Sequence, residues 1–153
     1  MLTVNQLREL SRERIKDAEA LFTLQRYEGA MYICGYAVEI ALKARICKTL
    51  RWAGFPSETK EFNQNPKYQF LKVHALGLLL SYSGQEERVK TRLSAEWSAV
   101  AAWSPESRYT PATKITRKSP RRVVDRLEMK ARLMMIDSAK ILLKGYERVN
   151  TQT

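Results

Sequence analysis

One segment constrains the fold more than any other. Residues 26–50, RYEGAMYICGYAVEIALKARICKTL, contain no proline and predict a single helix of about 24 residues. At 100° per residue, one set of small and apolar side chains covers an arc of roughly 140°. The residues of this arc are Ala30, Met31, Cys34, Ala37, Val38, Ala41 and Leu42. Ile33 and Ile40 lie on another side, so the helix is apolar on most sides and is predicted to be the central helix of a bundle.

A polar and aromatic strip interrupts this apolar surface. It consists of Tyr32, Tyr36, Glu39 and Lys43, which share one side of the predicted helix. An unpaired buried charge costs several kcal/mol, so Glu39 needs a partner. Lys43 follows at the favourable i,i+4 spacing, which predicts a structural ion pair, while a pocket wall or a surface facing a partner chain is the alternative. Gly35 costs about 1 kcal/mol inside a helix, which indicates close approach by a neighbouring helix.

The rest of the chain also reads as helical. Thr3 followed by Gln6 is a capping-box pattern at the start of a long amphipathic helix. HALGLLLSYSG predicts a short helix that Gly84 can close, and QEERVKTRLSAEWSAVAAW predicts one amphipathic helix. Ser119 and Pro120 are suited to the N-cap and first position of a last long helix.

Together these patterns predict an all-α fold. We expect one domain over residues 1–153, an up-and-down bundle of about five helices without a convincing strand. Proline and glycine break the helical pattern in two loops, near residues 51–72 and 104–119. An apolar content of 44% in 153 residues is enough for a globular core.

The charge is strongly unbalanced. A net charge of +11 indicates an acidic partner such as a nucleic acid, a nucleotide or an acidic protein. Much of it lies between residues 108 and 132, where nine Lys or Arg stand against two Asp or Glu. The candidate phosphate-binding residues of this basic stretch are Lys114, Arg117, Lys118, Arg121 and Arg122. A solvated basic surface remains the alternative interpretation.

The sequence does not support a disulfide-bonded, zinc-binding, membrane-spanning or secreted protein. Cys34 and Cys47 lie on one predicted helix about 20 Å apart along its axis, too far to bridge, and no C-x-x-C spacing suggests zinc. No apolar run reaches the ~20 residues that span a bilayer, and the first residues lack a signal-peptide core. We therefore expect a cytoplasmic protein without membrane contact, metal or cofactor.

Three motifs resemble one family. GYAVEIALKARI is similar to the signature helix of HEPN domains (higher eukaryotes and prokaryotes nucleotide-binding), and KVHALGLLLSYSG and WSPESRY resemble the two elements that follow it. The resemblance covers nearly the whole chain and implies a bundle of four to five helices, commonly a homodimer. Many HEPN proteins are metal-independent ribonucleases whose activity rests on R-x(4–6)-H, with the arginine stabilising phosphate charge and the histidine handling a proton.

This chain departs from that ribonuclease motif. Its one histidine is His74, and the positions that would hold the arginine are Lys67, Tyr68 and Gln69. The resemblance is closest to a subgroup that lacks the motif and is often encoded beside a minimal nucleotidyltransferase. It implies a non-catalytic module that binds a nucleotide, RNA or such a partner in a toxin–antitoxin or defence-type system. The alternative is a divergent endoribonuclease using His74 with Lys67 or Arg108.

Individual residues keep two interpretations. His74 could cap the short helix that follows it or hydrogen-bond backbone groups there, or it could contact a phosphate or carry a proton. Arg108, beside Tyr109 at the end of the polar strip, could reach Glu39 or bind a phosphate. Trp103 is expected to belong to the core, and Trp52 and Trp97 are expected to serve packing.

Overall fold

The fold is all-α, as predicted. A computed structural model describes residues 1–109 and 139–145, except for the side chains of residues 107 and 108. Its helices are α1 (Val4–Thr23), α2 (Tyr27–Thr49), α3 (Thr59–Gln64), α4 (Leu76–Tyr82), α5 (Glu86–Arg92), α6 (Ser94–Val100) and α7 (139–145). Two 3-10 helices, Pro66–Leu71 and Pro105–Tyr109, and two short strands, β1 (Leu2–Thr3) and β2 (Gly54–Phe55), complete the described elements.

The first helix begins as its sequence predicts. The Thr3 hydroxyl accepts a hydrogen bond from the Gln6 backbone N–H at 3.2 Å, and the Gln6 side chain accepts one from the Thr3 backbone at 2.9 Å. This reciprocal capping box satisfies two of the free N–H groups at the start of the helix. After α1, Gln25 turns the chain with a positive φ of 58°, and α2 returns antiparallel to α1.

Helix α2 is the core of the described structure. Its buried residues are Ala30, Cys34, Gly35, Ala37, Val38, Glu39, Ala41, Leu42, Ala44, Ile46 and Cys47. The predicted apolar arc is therefore confirmed, except that Met31 is only half-buried. Small side chains let α1 approach closely: the Ser11 hydroxyl donates to the Ala37 carbonyl at 2.8 Å. Cys34 and Cys47 are both buried, and they do not bridge to each other.

The predicted loop near residues 51–72 contains more structure than its sequence suggests. It holds β2, α3 and the 3-10 helix Pro66–Leu71. Strand β2 pairs antiparallel with β1, placing Leu2 opposite Phe55 and Thr3 opposite Gly54. A Cβ at Gly54 would lie 2.4 Å from the Leu2 carbonyl oxygen, so only glycine fits this approach. The sequence-based expectation of no strand is wrong here, because strands of two residues have no detectable alternation.

The predicted helix over residues 85–103 is divided. Leu93 has φ −134° and ψ 36°, outside the helical region, and separates α5 from α6. Its side chain packs towards α7, where a Cβ at Gly145 would lie 3.2 Å from a Leu93 methyl carbon. The Lys140 ammonium of α7 pairs with the Glu19 carboxylate of α1 at 2.5 Å. The remainder of the predicted last helix lies outside the described residues.

The described part of the chain contains no candidate membrane-spanning helix. Within residues 1–109 and 139–145, none of the helices combines the length and the apolar character that a bilayer crossing requires.

Candidate functional site

The carboxylate of Glu39 joins two distant parts of the sequence. Its residue is 2% exposed, in the middle of α2. The Lys43 ammonium donates to Glu39 Oε1 at 2.5 Å, one turn along the same helix. The His74 Nδ1 lies 3.0 Å from Oε1 and 3.1 Å from Oε2. The predicted ion pair is therefore present, and a histidine 35 residues away shares the same carboxylate.

His74 precedes α4 but does not cap it. Ala75 occupies the N-cap position of α4, and no side chain caps the helix there. The expectation that His74 serves as this cap is wrong, because its imidazole turns back to the buried carboxylate of Glu39. A carboxylate oxygen accepts hydrogen bonds, so this contact matches the histidine tautomer that donates from Nδ1. Since 55% of the His74 side chain is exposed, its Nε2 is the nitrogen that can meet a ligand.

Aromatic rings continue the strip towards the other end of α2. The Tyr32 and Tyr36 hydroxyl oxygens are 3.3 Å apart, and their rings meet edge to face at 5.1 Å. Tyr36 also contacts Trp103 edge to face, with centroids 4.9 Å apart, and its ring centre lies 6.5 Å from that of His74. Tyr36 therefore packs against residues of the same chain, while Tyr32 and Lys43 remain partly exposed.

Trp103 explains the interior glycine of α2. A Cβ at Gly35 would lie 2.2 Å from ring atoms of Trp103. The close neighbour that the sequence predicts is thus a side chain just beyond α6, not the backbone of another helix. Trp103 and Trp97 are buried, as expected, and Trp52 packs against the Tyr68 ring at 4.8 Å.

Beside His74 lies a cleft of about 300 Å³. Its walls are mostly apolar, with Ile40, Phe55, Phe62 and Leu71 among them. The polar side chains that line it are Ser57, Lys43, Lys72 and His74. None of the described lining residues is acidic, and Lys72 and His74 are exposed to solvent. Lys43 and His74 contact the Glu39 carboxylate and Ser57 donates to that of Glu61, so Lys72 supplies the exposed positive charge of the cleft. The volume lies at the lower end of the range for small-molecule sites.

The structure brings together only part of the predicted site. The Lys67 ammonium lies over the rings of Trp52 and Tyr68, 5.8 Å and 5.2 Å from their centres, where cation–π attraction holds it. Tyr109 ends the second 3-10 helix and is 75% exposed. The Arg108 side chain lies outside what the structure describes. The same holds for the whole basic stretch: Lys114, Arg117, Lys118, Arg121 and Arg122.

The sequence analysis did not identify Lys72 and Ser57 as residues of the candidate site. Lys72 stands two residues before His74 in a segment outside any helix, and in an extended chain residues two apart lie on the same side. The K-x-H spacing could therefore have indicated that Lys72 accompanies His74. Ser57 is brought to the cleft by the β2 pairing, which local sequence does not show.

Comparison with known proteins does not assign the chain to a family. No protein-family model, no curated protein and no solved structure matches this chain. Among the described residues, no three His, Cys, Asp or Glu side chains cluster where they could hold a metal ion. The geometry of Glu39, His74 and the adjoining cleft is therefore the basis for assigning a function.

Proposed function

We propose that this protein is a non-catalytic binding module of the HEPN type that takes a nucleotide in the cleft beside His74. The nucleotide can be free or the end of an RNA chain. The observation that carries the proposal is the cleft itself, where apolar walls adjoin Lys72 and His74 without an acidic lining residue in the described chain. A nucleotide has the same division, with an apolar base face and a phosphate.

The charges of the cleft are not equivalent. Lys43 is neutralised by the buried Glu39 carboxylate at 2.5 Å, so it contributes little net attraction for an anion. Lys72 is exposed and can turn towards a phosphate, and the exposed edge of the His74 ring, with Nε2, lies on the same side. The Ser57 hydroxyl lines the cleft but donates to the Glu61 carboxylate at 3.2 Å. The partly exposed side chains of Leu10, Ile40 and Val73 supply apolar surface for the base.

Nucleotide titration tests the proposal. AMP, GMP, CMP and UMP, each with its 5′-triphosphate, would be titrated into the protein by isothermal calorimetry. We expect binding of at least one nucleotide, weakened about tenfold in Lys72→Ala, the loss of about 1.4 kcal/mol that one charge-assisted hydrogen bond represents. His74→Ala should weaken it similarly. Lys60→Ala, which removes an exposed lysine on α3, should bind like the unaltered protein.

Two results would refute this function. One is the absence of any nucleotide binding at millimolar concentration. The other is binding that Lys72→Ala and Lys60→Ala reduce equally, which would reflect net charge and not the cleft.

The alternative function is a divergent metal-independent endoribonuclease. The Glu39–His74 contact favours it, since a carboxylate on Nδ1 orients a histidine so that Nε2 can accept a proton. The phosphate-stabilising arginine of the ribonuclease motif is lacking, and Lys67 is held over two aromatic rings. Lysine offers a point charge in place of the planar guanidinium fork.

Cleavage of a labelled RNA in the presence of EDTA separates the two functions. We expect no cleavage above a protein-free control. Cleavage that disappears in His74→Ala, with nucleotide binding retained, would identify the nuclease.

A partner chain is part of the same proposal. The resemblance to HEPN proteins supports a homodimer, or a complex with a minimal nucleotidyltransferase in a toxin–antitoxin or defence-type system. Light scattering at micromolar concentration should show a mass above the 17.7 kDa of one chain, alone or after mixing with the product of a neighbouring gene. A mass of one chain in both cases would contradict it.

A further inference from the structure

A second cleft, of about 370 Å³, lies between α5 and α7. Arg88 and Arg92 line it from α5, one helical turn apart, and Lys144 lines it from α7. The remaining described lining residues are Leu93, Ile141 and Gly145. The described lining therefore combines cations with apolar side chains and includes no carboxylate.

The cations of this cleft lack the carboxylate partners that neighbouring lysines have. On α5, Lys90 is paired with Glu86 at 2.6 Å, and on α7, Lys140 is paired with Glu19 at 2.5 Å. Within residues 1–109 and 139–145, none of the ion pairs includes a cation of the cleft. Lysines of these two helices that lie outside the cleft are thus balanced, whereas the cations that line it are not.

The unbalanced charge is accessible to a ligand. Arg92 and Lys144 are exposed, and Arg88 is half-buried, with its guanidinium donating to the neutral Gln85 side chain at 3.5 Å. A neutral acceptor leaves the charge of Arg88 in place. Like charges around one cleft repel one another, and carboxylates placed among them relieve that repulsion. The cleft therefore suits a ligand with more than one negative charge.

The same cleft has an apolar surface. Ile141 is 42% exposed and lies one turn before Lys144 and Gly145, so these three residues share a face of α7. A Cβ at Gly145 would lie 3.2 Å from a Leu93 methyl carbon, so the glycine lets Leu93 approach α7 closely. A ligand that fits the whole cleft therefore presents apolar side chains together with its negative charges.

We propose that this cleft docks an acidic amphipathic helix of another protein. On such a helix, carboxylates four residues apart lie on one face, at the same spacing as Arg88 and Arg92 on α5. Each guanidinium fork matches a carboxylate with two parallel hydrogen bonds. Leucine or isoleucine side chains on that face cover Ile141 and Leu93, as in other complexes where a helix lies in a groove. The net charge of +11 steers an acidic partner towards the chain.

A nucleic acid fits the cleft less well than an acidic helix. A sugar–phosphate backbone presents regularly spaced charge without apolar side chains on the same face. Its approach would leave Ile141 and Leu93 against phosphates or water. An acidic helix matches both the charged and the apolar part of the lining.

Docking at this cleft does not depend on nucleotide binding beside His74. The described linings of the two clefts have no residue in common. Docking does add the chemistry of one partner to the partner chain proposed above. Because its test uses an added peptide, docking can fail while nucleotide binding and dimer formation hold, and the reverse is equally possible.

Fluorescence anisotropy with a labelled peptide tests the docking. The peptide is an alanine-based helix of about 15 residues, with glutamates at i,i+4 and leucines on the same face. At about 100 mM salt we expect saturable binding. Arg88→Gln, Arg92→Gln, Lys144→Gln should weaken it by about tenfold or more, since one lost charge-assisted pair corresponds to about 1.4 kcal/mol. A peptide of the same composition, with glutamates and leucines on opposite faces, should bind more weakly than the first.

A matched control removes the same kinds of charge elsewhere. Arg26→Gln, Arg51→Gln, Lys60→Gln replaces two exposed arginines and one exposed lysine that do not line the cleft. It should lose less than about threefold in affinity, because distant exposed charges act only through the screened net charge. Circular dichroism checks that both triple variants are folded. Arg92→Gln, Lys144→Gln, limited to exposed positions, repeats the test with less risk to folding.

Charge reversal gives a second readout. Arg92→Glu, Lys144→Glu should lower the affinity for the glutamate peptide and raise that for a peptide with lysine in place of each glutamate. Arg26→Glu, Lys60→Glu should keep the original preference.

Three results would overturn the docking proposal. One is the absence of peptide binding at millimolar peptide concentration. Another is an equal loss in the two triple variants, since net charge alone would then explain the binding. The third is a loss of affinity for single-stranded RNA in the cleft variant that exceeds its loss for the peptide, which would assign the cleft to a nucleic acid.

Discussion

The indole ring of Trp103 fills the space that a side chain at position 35 would need. Ring atoms of Trp103 lie 2.2 Å from the place where a Cβ on Gly35 would stand. The same ring meets Tyr36 edge to face at 4.9 Å, and Tyr36 in turn borders His74. Gly35 therefore sets how closely the aromatic wall can approach the strip of α2 that carries Glu39.

Gly35→Ala is expected to destabilise the protein. In an ordinary helix interior this change stabilises by about 1 kcal/mol, because glycine has more conformational freedom to lose. Here the added methyl group collides with a ring, and overpacking of this kind costs typically 1–3 kcal/mol. Urea denaturation should show a lower midpoint for Gly35→Ala with an unchanged slope.

Gly29→Ala is the control for that experiment. Gly29 lies on the same helix, and its added Cβ would meet a Leu21 methyl carbon at 3.6 Å, an ordinary contact. It should stabilise by up to about 1 kcal/mol. If both alanine variants raised the midpoint, the packing of Trp103 on α2 would be wrong.

Glu39→Ala should cost stability because it leaves a lysine without its carboxylate. Removing one partner of a buried pair costs about 3–5 kcal/mol. The lower end applies here, since the His74 side chain is 55% exposed and can be hydrated. Thermal and urea unfolding measure the loss. Restoring balance with Glu39→Gln, Lys43→Met should recover much of it, and a melt unchanged in Glu39→Ala would contradict a structural role for the carboxylate.

Local sequence was sufficient for the parts of the fold that local physics determines. The Thr3–Gln6 box and the apolar arc of α2 follow from spacing within a few residues, and both are confirmed. The pairing of Glu39 with Lys43 follows in the same way from one helical turn.

Contacts between distant segments could not be predicted. His74 meets Glu39 across 35 residues, and Ser57 reaches the cleft through a strand pair of two residues. Residues 85–103 divide at Leu93, whose backbone leaves the helical region although the apolar spacing continues through it. Only tertiary structure places such residues together.

The buried thiol of Cys34 should be protected in the folded protein. Burial raises its pKa to about 12, and the pKa of Cys47 to about 11. The thiolate is the nucleophile, so both should react slowly with iodoacetamide at pH 8, and Cys34 the more slowly. Mass spectrometry of a time course distinguishes the two sites. Alkylation of Cys34 at the rate found in urea would contradict its burial.

The same shifts predict how stability changes in alkali. An unfolded thiol loses its proton near pH 9 while the buried one retains it, so deprotonation favours the unfolded chain. The contribution of Cys34 is complete below pH 9 and is lost as pH rises towards 12. The difference in unfolding free energy between the unaltered protein and Cys34→Ala should therefore shrink above pH 9. A difference that stays constant would contradict the raised pKa.

The basic stretch predicted from the sequence should bind RNA through its phosphates. If about five phosphates meet Lys114, Arg117, Lys118, Arg121 and Arg122, log K should fall against log salt with a slope of roughly −3.5 to −4.5 from these contacts. Replacing Arg117, Lys118, Arg121 and Arg122 with glutamine should flatten the slope by about three units. A slope unchanged by the four glutamines would show that the stretch is solvated surface.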